Sequence, residues 1–181
     1  MIKKILLIIV GYFFFIDFLH AIVVGAQIGK DFTEFSAGIG NKGVYLEING
    51  NLMRNDNDKQ LISLGGTFGV PFGPVSAYFS GKTYCFLSPE EHPLTFIFTT
   101  GMGVNLYFMP FFSIYGEIYS SPYSFISDHY LYKEANIGIK YELIKSFFIS
   151  AGYRFITIKD NSNDIKHIIV DNFYVGAVFN F

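Results

Sequence analysis

From residue 173 to the final residue, Phe173, Val175, Ala177, Phe179 and Phe181 fall on one side of an extended chain. Tyr174, Gly176, Val178 and Asn180 fall on the other. A period of two residues is that of a β-strand, because successive side chains point to opposite faces. This strand has one unbroken apolar face and stops on an aromatic residue at the chain end. Such a face must be covered, either by a protein core or by lipid.

Seven further segments repeat the pattern. Val44–Arg54 sets Val44, Leu46, Ile48 and Leu52 against Tyr45, Glu47, Asn49 and Asn51, and Gln60–Val70 groups Ile62, Leu64, Phe68 and Val70. Val75–Phe86, Leu94–Phe108, Phe112–Ser120, Tyr130–Glu142 and Phe147–Lys159 follow in the same manner. Each has about the length of a tilted strand that crosses a bilayer, roughly 9–11 residues. The connections alternate in character. Those at Pro71–Pro74, Met109–Phe111 and Leu143–Ser146 are short, whereas Leu87–Pro93, Ser121–His129 and Asp160–Lys166 are longer and polar. Outer-membrane barrels have short periplasmic turns and longer outer loops.

Composition decides between core and lipid. The chain is 51% hydrophobic and only 15% charged, against roughly 25% charged in an ordinary soluble domain. Its mean hydropathy is +0.35, yet a long apolar run occurs only at the N-terminus. Apolar residues dispersed at every second position fit a membrane β-barrel. The net charge of −2 gives no basic stripe for nucleic acid. Cys85 is the single cysteine, so no intrachain disulfide or thiolate metal cluster is implied.

The N-terminus has the form of a secretory signal. Lys3 and Lys4 precede the apolar run Ile5–Ile16, and Val24-Gly25-Ala26 offers small residues before a cleavage site at Gln27. A retained, uncleaved anchor is the main alternative, and cleavage after Ala21 a lesser one. The expected organisation is a signal over residues 1–26, a periplasmic lead-in or lumen segment over 27–43, and a barrel over 44–181. The expected fold is all-β, a closed antiparallel up-and-down transmembrane β-barrel of about eight strands, embedded as a monomer in outer-membrane lipid. Closure is required because unpaired backbone groups in hydrocarbon cost several kcal/mol each.

The polar faces carry Glu47, Lys82, Glu117, Glu134, Lys140 and Arg154 well inside strands. Opposite charges enclosed in a narrow barrel are expected to pair, since an isolated one is costly there. A structural salt-bridge network that fills the lumen is the plainest reading; a narrow solute path lined by the same residues is the alternative. No catalytic constellation stands out. Ser127-Asp128-His129 is contiguous in a loop, which does not build a nucleophile–base–orienter arrangement. Glu90 and Glu91 form an acidic turn, and Asn161–Asp164 has turn chemistry without Ca²⁺-loop spacing. No cofactor or metal is expected. Adhesion through the long loops, a lipid-modifying enzyme, and a soluble barrel with an apolar interior are the competing readings.

Ser63-Leu64-Gly65-Gly66-Thr67-Phe68-Gly69 followed by Phe72-Gly73-Pro74-Val75, Tyr115-Gly116-Glu117-Ile118-Tyr119 with Pro122, Glu134-Ala135-Asn136-Ile137-Gly138, Gly152-Tyr153-Arg154-Phe155 and Tyr174-Val175-Gly176 together resemble the YfaZ family of bacterial outer-membrane proteins. The resemblance covers nearly the whole chain after the signal, in order. It implies a small outer-membrane barrel, sometimes described as porin-like, and carries over no catalytic residue. The terminal strand also resembles the C-terminal strand of outer-membrane barrels. That likeness makes Phe179 and Phe181 the expected assembly signal, read by the barrel-assembly machinery.

Overall fold

In a strand with one apolar face, a slip of one residue would turn every side chain to the wrong side, so pattern and register are fixed together. The computed structural model describes residues 22–41, 45–56, 59–87, 95–122, 130–160 and 165–181. They form β1 (Ile22–Gly29), β2 (Phe32–Asn41), β3 (Tyr45–Asn55), β4 (Gln60–Phe72), β5 (Val75–Leu87), β6 (Thr95–Met109), β7 (Phe112–Ser120), β8 (Tyr130–Ile144), β9 (Phe147–Asp160) and β10 (Ile165–Asn180). Each strand pairs antiparallel with its neighbours in sequence. β1 also pairs with β10, from Val23 opposite Asn180 to Gly29 opposite Tyr174, and this closes the barrel.

The barrel therefore has ten strands where the sequence predicts about eight. The two additional ones come from residues 22–41, and the expected lead-in over 27–43 is replaced by the end of β1 and by β2. The physical reason is low contrast. The outward face of β2 is Thr33, Phe35, Ala37 and Ile39, and its inward face ends in Gly38 and Gly40. β1 reads as the tail of the apolar leader, although Ile22, Val24 and Ile28 are exposed on alternate positions. Adding two strands preserves parity, so β3 still starts at the end of the barrel where the chain terminates.

The exterior is oily and the interior polar. Leu64, Phe79, Phe96 and Phe173 are 64–78% exposed, whereas Glu34, Lys82, Glu134 and Arg154 are 4–7% exposed. A water-soluble barrel would reverse this. Tyr153 donates a hydrogen bond to Asp171, on the exterior nearer the loops.

The two ends differ. Tight turns at Gly73-Pro74, Pro110-Phe111 and Lys145-Ser146 join strands at one end, where β1 also begins and β10 ends. Gly73 has φ +62, which a side chain would strain. We call this the turn end. Aromatic rings border it: Phe108 with Phe112, Phe111 with Tyr141, and Phe147 with Phe179, at centroid separations of 5.5–6.3 Å. The opposite, loop end carries the longer connections after β5, β7 and β9, together with the two-residue turn Lys30-Asp31 between β1 and β2.

Candidate functional site

The lumen holds three layers. The middle one is ionic. Arg154 on β9 points inward, with Nη1 2.6 Å from Oε2 of Glu34 on β2 and Nη2 2.7 Å from Oε1 of Glu134 on β8. Its Nε also donates to Glu134 at 2.9 Å. Glu134 accepts two further hydrogen bonds on Oε2, from Tyr84 at 2.8 Å and Tyr132 at 2.7 Å. A buried carboxylate is tolerated when its lone pairs are all engaged in this way. Lys82 on β5 projects into the same layer, with Nζ 4.0 Å from the centroid of the Tyr119 ring.

Toward the loop end the lumen is filled by apolar side chains. Phe32, Met53, Leu61, Ile97, Ile156, Ile158, Ile169 and Val170 are at most 4% exposed and pack with Tyr84, Tyr119, Tyr132 and Tyr174. They come from strand segments next to the loop-end connections. Asn55 on β3 donates across the mouth to the carbonyl of Ile169, where β10 carries a bulge, and Asn172 donates to Asp31 at 2.6 Å.

Toward the turn end the lumen is open. A cavity of about 380 Å³ runs inward from Tyr107, Phe112 and Asn180 to a floor formed by Lys82, Glu134 and Arg154. Its wall is built by pairing rings with glycines. Tyr78 lies over Gly103, Tyr119 over Gly101 and Tyr115 over Gly138, each where a Cβ would collide. The rings thereby lie along the wall and leave space between them. A chain of polar contacts crosses one side: Tyr115 and Tyr174 share a hydrogen bond, Tyr174 donates to Asn136 at 2.8 Å, and Asn136 donates to Glu117 at 3.3 Å.

The residues singled out from sequence are thus distributed. Glu134 and Arg154 are brought together. Lys82 stands near them but stacks on Tyr119. Glu117 accepts from Tyr119 at 3.0 Å and from Asn136, without joining Arg154. Glu47 accepts from Asn49 at 3.3 Å, and Lys140 lies toward the turn end with Nζ 5.5 Å from the Tyr115 ring centroid. Glu34 was not among them. The weak alternation of Phe35, Ala37 and Ile39 was the signal that places Glu34 inward. Phe179 and Phe181 contact each other at 4.6 Å, and the Phe181 amide donates to the Ile22 carbonyl at 2.9 Å, beside the β1–β10 seam.

His92, His129, Ser127, Asp128, Glu90, Glu91 and Asn161–Asp164 lie outside the described residues. Among the described residues no group of three or more His, Cys, Asp or Glu is placed to hold a metal ion.

Comparison with known proteins bears on what this barrel is. The family model described as YfaZ precursor matches residues 3–181, and a precursor accords with the exported leader. The outer membrane protein YfaZ of Escherichia coli (strain K12) is 29% identical over 158 residues, which cover 87% of each chain. Among solved structures, the KdgM porin aligns with 89% of this chain and 99% of its own at a TM-score of 0.49 and 8% identity. The NanC porin aligns with 88% and 98% at 0.40 and 10%. Omp33 of Acinetobacter baumannii aligns with 89% and 97% at 0.39 and 11%. Since the family model runs from the third residue to the last, and an oily belt on a closed barrel has only a bilayer to face, the chain belongs to the YfaZ family of outer-membrane proteins.

Proposed function

We propose that this protein is a non-enzymatic outer-membrane barrel whose lumen is closed at rest, a structural element in the bilayer rather than an open pore. The observation that carries the reading is Arg154 held between Glu34 and Glu134, with buried apolar side chains filling the lumen beyond it. A hydrated ion cannot cross a layer in which the polar groups are mutually engaged and the next layer excludes water. In this reading the barrel is a monomer in outer-membrane lipid, and Phe179 and Phe181 act as its assembly signal toward the barrel-assembly machinery.

Planar-bilayer recording with purified protein tests the reading. The expected result is a membrane without steady current, and charge reversal at Arg154 should act on stability rather than on ion selectivity. A steady, ohmic current through the wild-type protein would replace this reading with porin-like passive permeation through the same residues.

A further inference from the structure

The cavity at the turn end has a chemistry that the closed lumen does not require. Three tyrosines, Tyr78, Tyr115 and Tyr119, lie over glycines of adjacent strands and so present ring surface to the cavity rather than crossing it. Two of these rings already hold an ammonium group of the protein itself. Lys82 Nζ is 4.0 Å from the Tyr119 centroid, and Lys140 Nζ is 5.5 Å from that of Tyr115. Both separations are within the roughly 6 Å at which a ring quadrupole attracts a cation. Tyr78 has no such partner among the described residues.

The charges nearby are unbalanced in the same sense. Arg154 engages Glu34 and Glu134, and Lys82 lies within electrostatic reach of Glu134 and Glu117. Lys140 lines the same cavity, so four carboxylates, Glu34, Glu47, Glu117 and Glu134, share it with three cations, Lys82, Lys140 and Arg154, an excess of one negative charge. Glu47 and Glu117 have no cationic group within ion-pair distance among the described residues. Tyr78 lies within electrostatic reach of both. A carboxylate enclosed by protein is stabilised by a cation far more than one in open water. The cavity is blind, so a ligand that enters from the turn end stays against this wall.

We infer that the cavity binds a small organic ammonium ion, seated on the ring of Tyr78 between Glu117 and Glu47. The ligand completes on the third tyrosine what Lys82 and Lys140 do on the other two. The inference rests on the blind cavity of the closed-lumen reading, but it is measured by binding and not by current, so either can fail alone.

Choline is the probe, and 3,3-dimethylbutan-1-ol, its uncharged isostere, is the control. Both are titrated by calorimetry into full-length protein refolded in detergent micelles. The account predicts saturable choline binding, with the alcohol weaker by at least about tenfold, the equivalent of about 1.4 kcal/mol for the lost cation–ring and cation–carboxylate contacts. Tyr78→Phe keeps the ring and should keep the affinity. Tyr78→Leu and Glu117→Gln should each lower it by about tenfold. The wild-type comparison of choline with the alcohol needs no variant to fold. Equal binding of the two, no saturable choline signal, or choline affinity unchanged in both Tyr78→Leu and Glu117→Gln would overturn the proposal.

Discussion

Arg154 shows how a single side chain sets the interior. It is 4% exposed and meets two carboxylates on strands that are distant in sequence. Removing one partner of such a group leaves the rest charged, buried and unpaired, which costs about 3–5 kcal/mol. Arg154→Met should therefore destabilise the barrel by about that amount, read as a lower urea midpoint for the change in migration of unboiled samples on gels. Combining it with Glu34→Gln and Glu134→Gln should recover much of the loss, because the two carboxylates that Arg154 paired are then neutral and Lys82 keeps Glu117 within electrostatic reach. Glycines give a second residue-scale test. Gly103 has the Tyr78 ring where a Cβ would stand, whereas the nearest atom to a Cβ at Gly116 is 4.0 Å away. Gly103→Ala should cost about 1–3 kcal/mol by displacing that ring. Gly116→Ala should be close to neutral in the same unfolding assay.

At the scale of the strand, most of the barrel was legible in the chain, and the exceptions have a physical cause. β3 to β9 begin and end within two residues of their predicted limits, because Leu, Ile and Phe alternate there with Asn, Ser, Glu and Lys at high contrast. β1 and β2 alternate through Gly25, Ala26, Ala37, Gly38 and Gly40, and small side chains carry little of that signal. Losing β2 from the prediction also loses Glu34. Glu134 and Arg154 sit on adjacent strands, and their pairing follows from facing inward together. The Arg154–Glu34 contact depends instead on barrel closure through β1 and β10, which local pattern does not encode. Glu117 occupies the same row as Arg154, opposite Asn136, but Tyr119 and Asn136 already engage it.

The same strand bears on processing. Cleavage before Gln27 would remove Ile22–Ala26, of which Val23–Ala26 pair with Asn180–Ala177 of β10 and all five with Ile39–Phe35 of β2. Both neighbours would then expose backbone to lipid at several kcal/mol per group. Cleavage after Ala21 leaves β1 whole. The intact mass of protein purified from the outer membrane should therefore correspond to a chain that starts at Ile22. A mass that starts at Gln27 would mean that β1 as described here does not exist in the mature protein.

For the whole molecule, the central claim is a division of space into three environments. Ile118 is 56% exposed on the oily exterior, Ile97 is 4% exposed in the layer that fills the loop end, and Asn105 lines the cavity at the turn end. The division explains how a chain with 51% hydrophobic residues keeps its few charges away from lipid. It also separates a cavity at the turn end from a lumen filled with packed side chains toward the loop end. The most direct measurement is the rate at which a water-soluble maleimide labels single cysteines in a Cys85→Ser background, in protein reconstituted in liposomes. Asn105→Cys should react readily, while Ile97→Cys and Ile118→Cys should be protected, the first by packing and the second by lipid. Ile97→Cys reacting as fast as Asn105→Cys would mean an open channel, and Ile118→Cys reacting while Asn105→Cys is protected would mean the faces of the barrel are reversed.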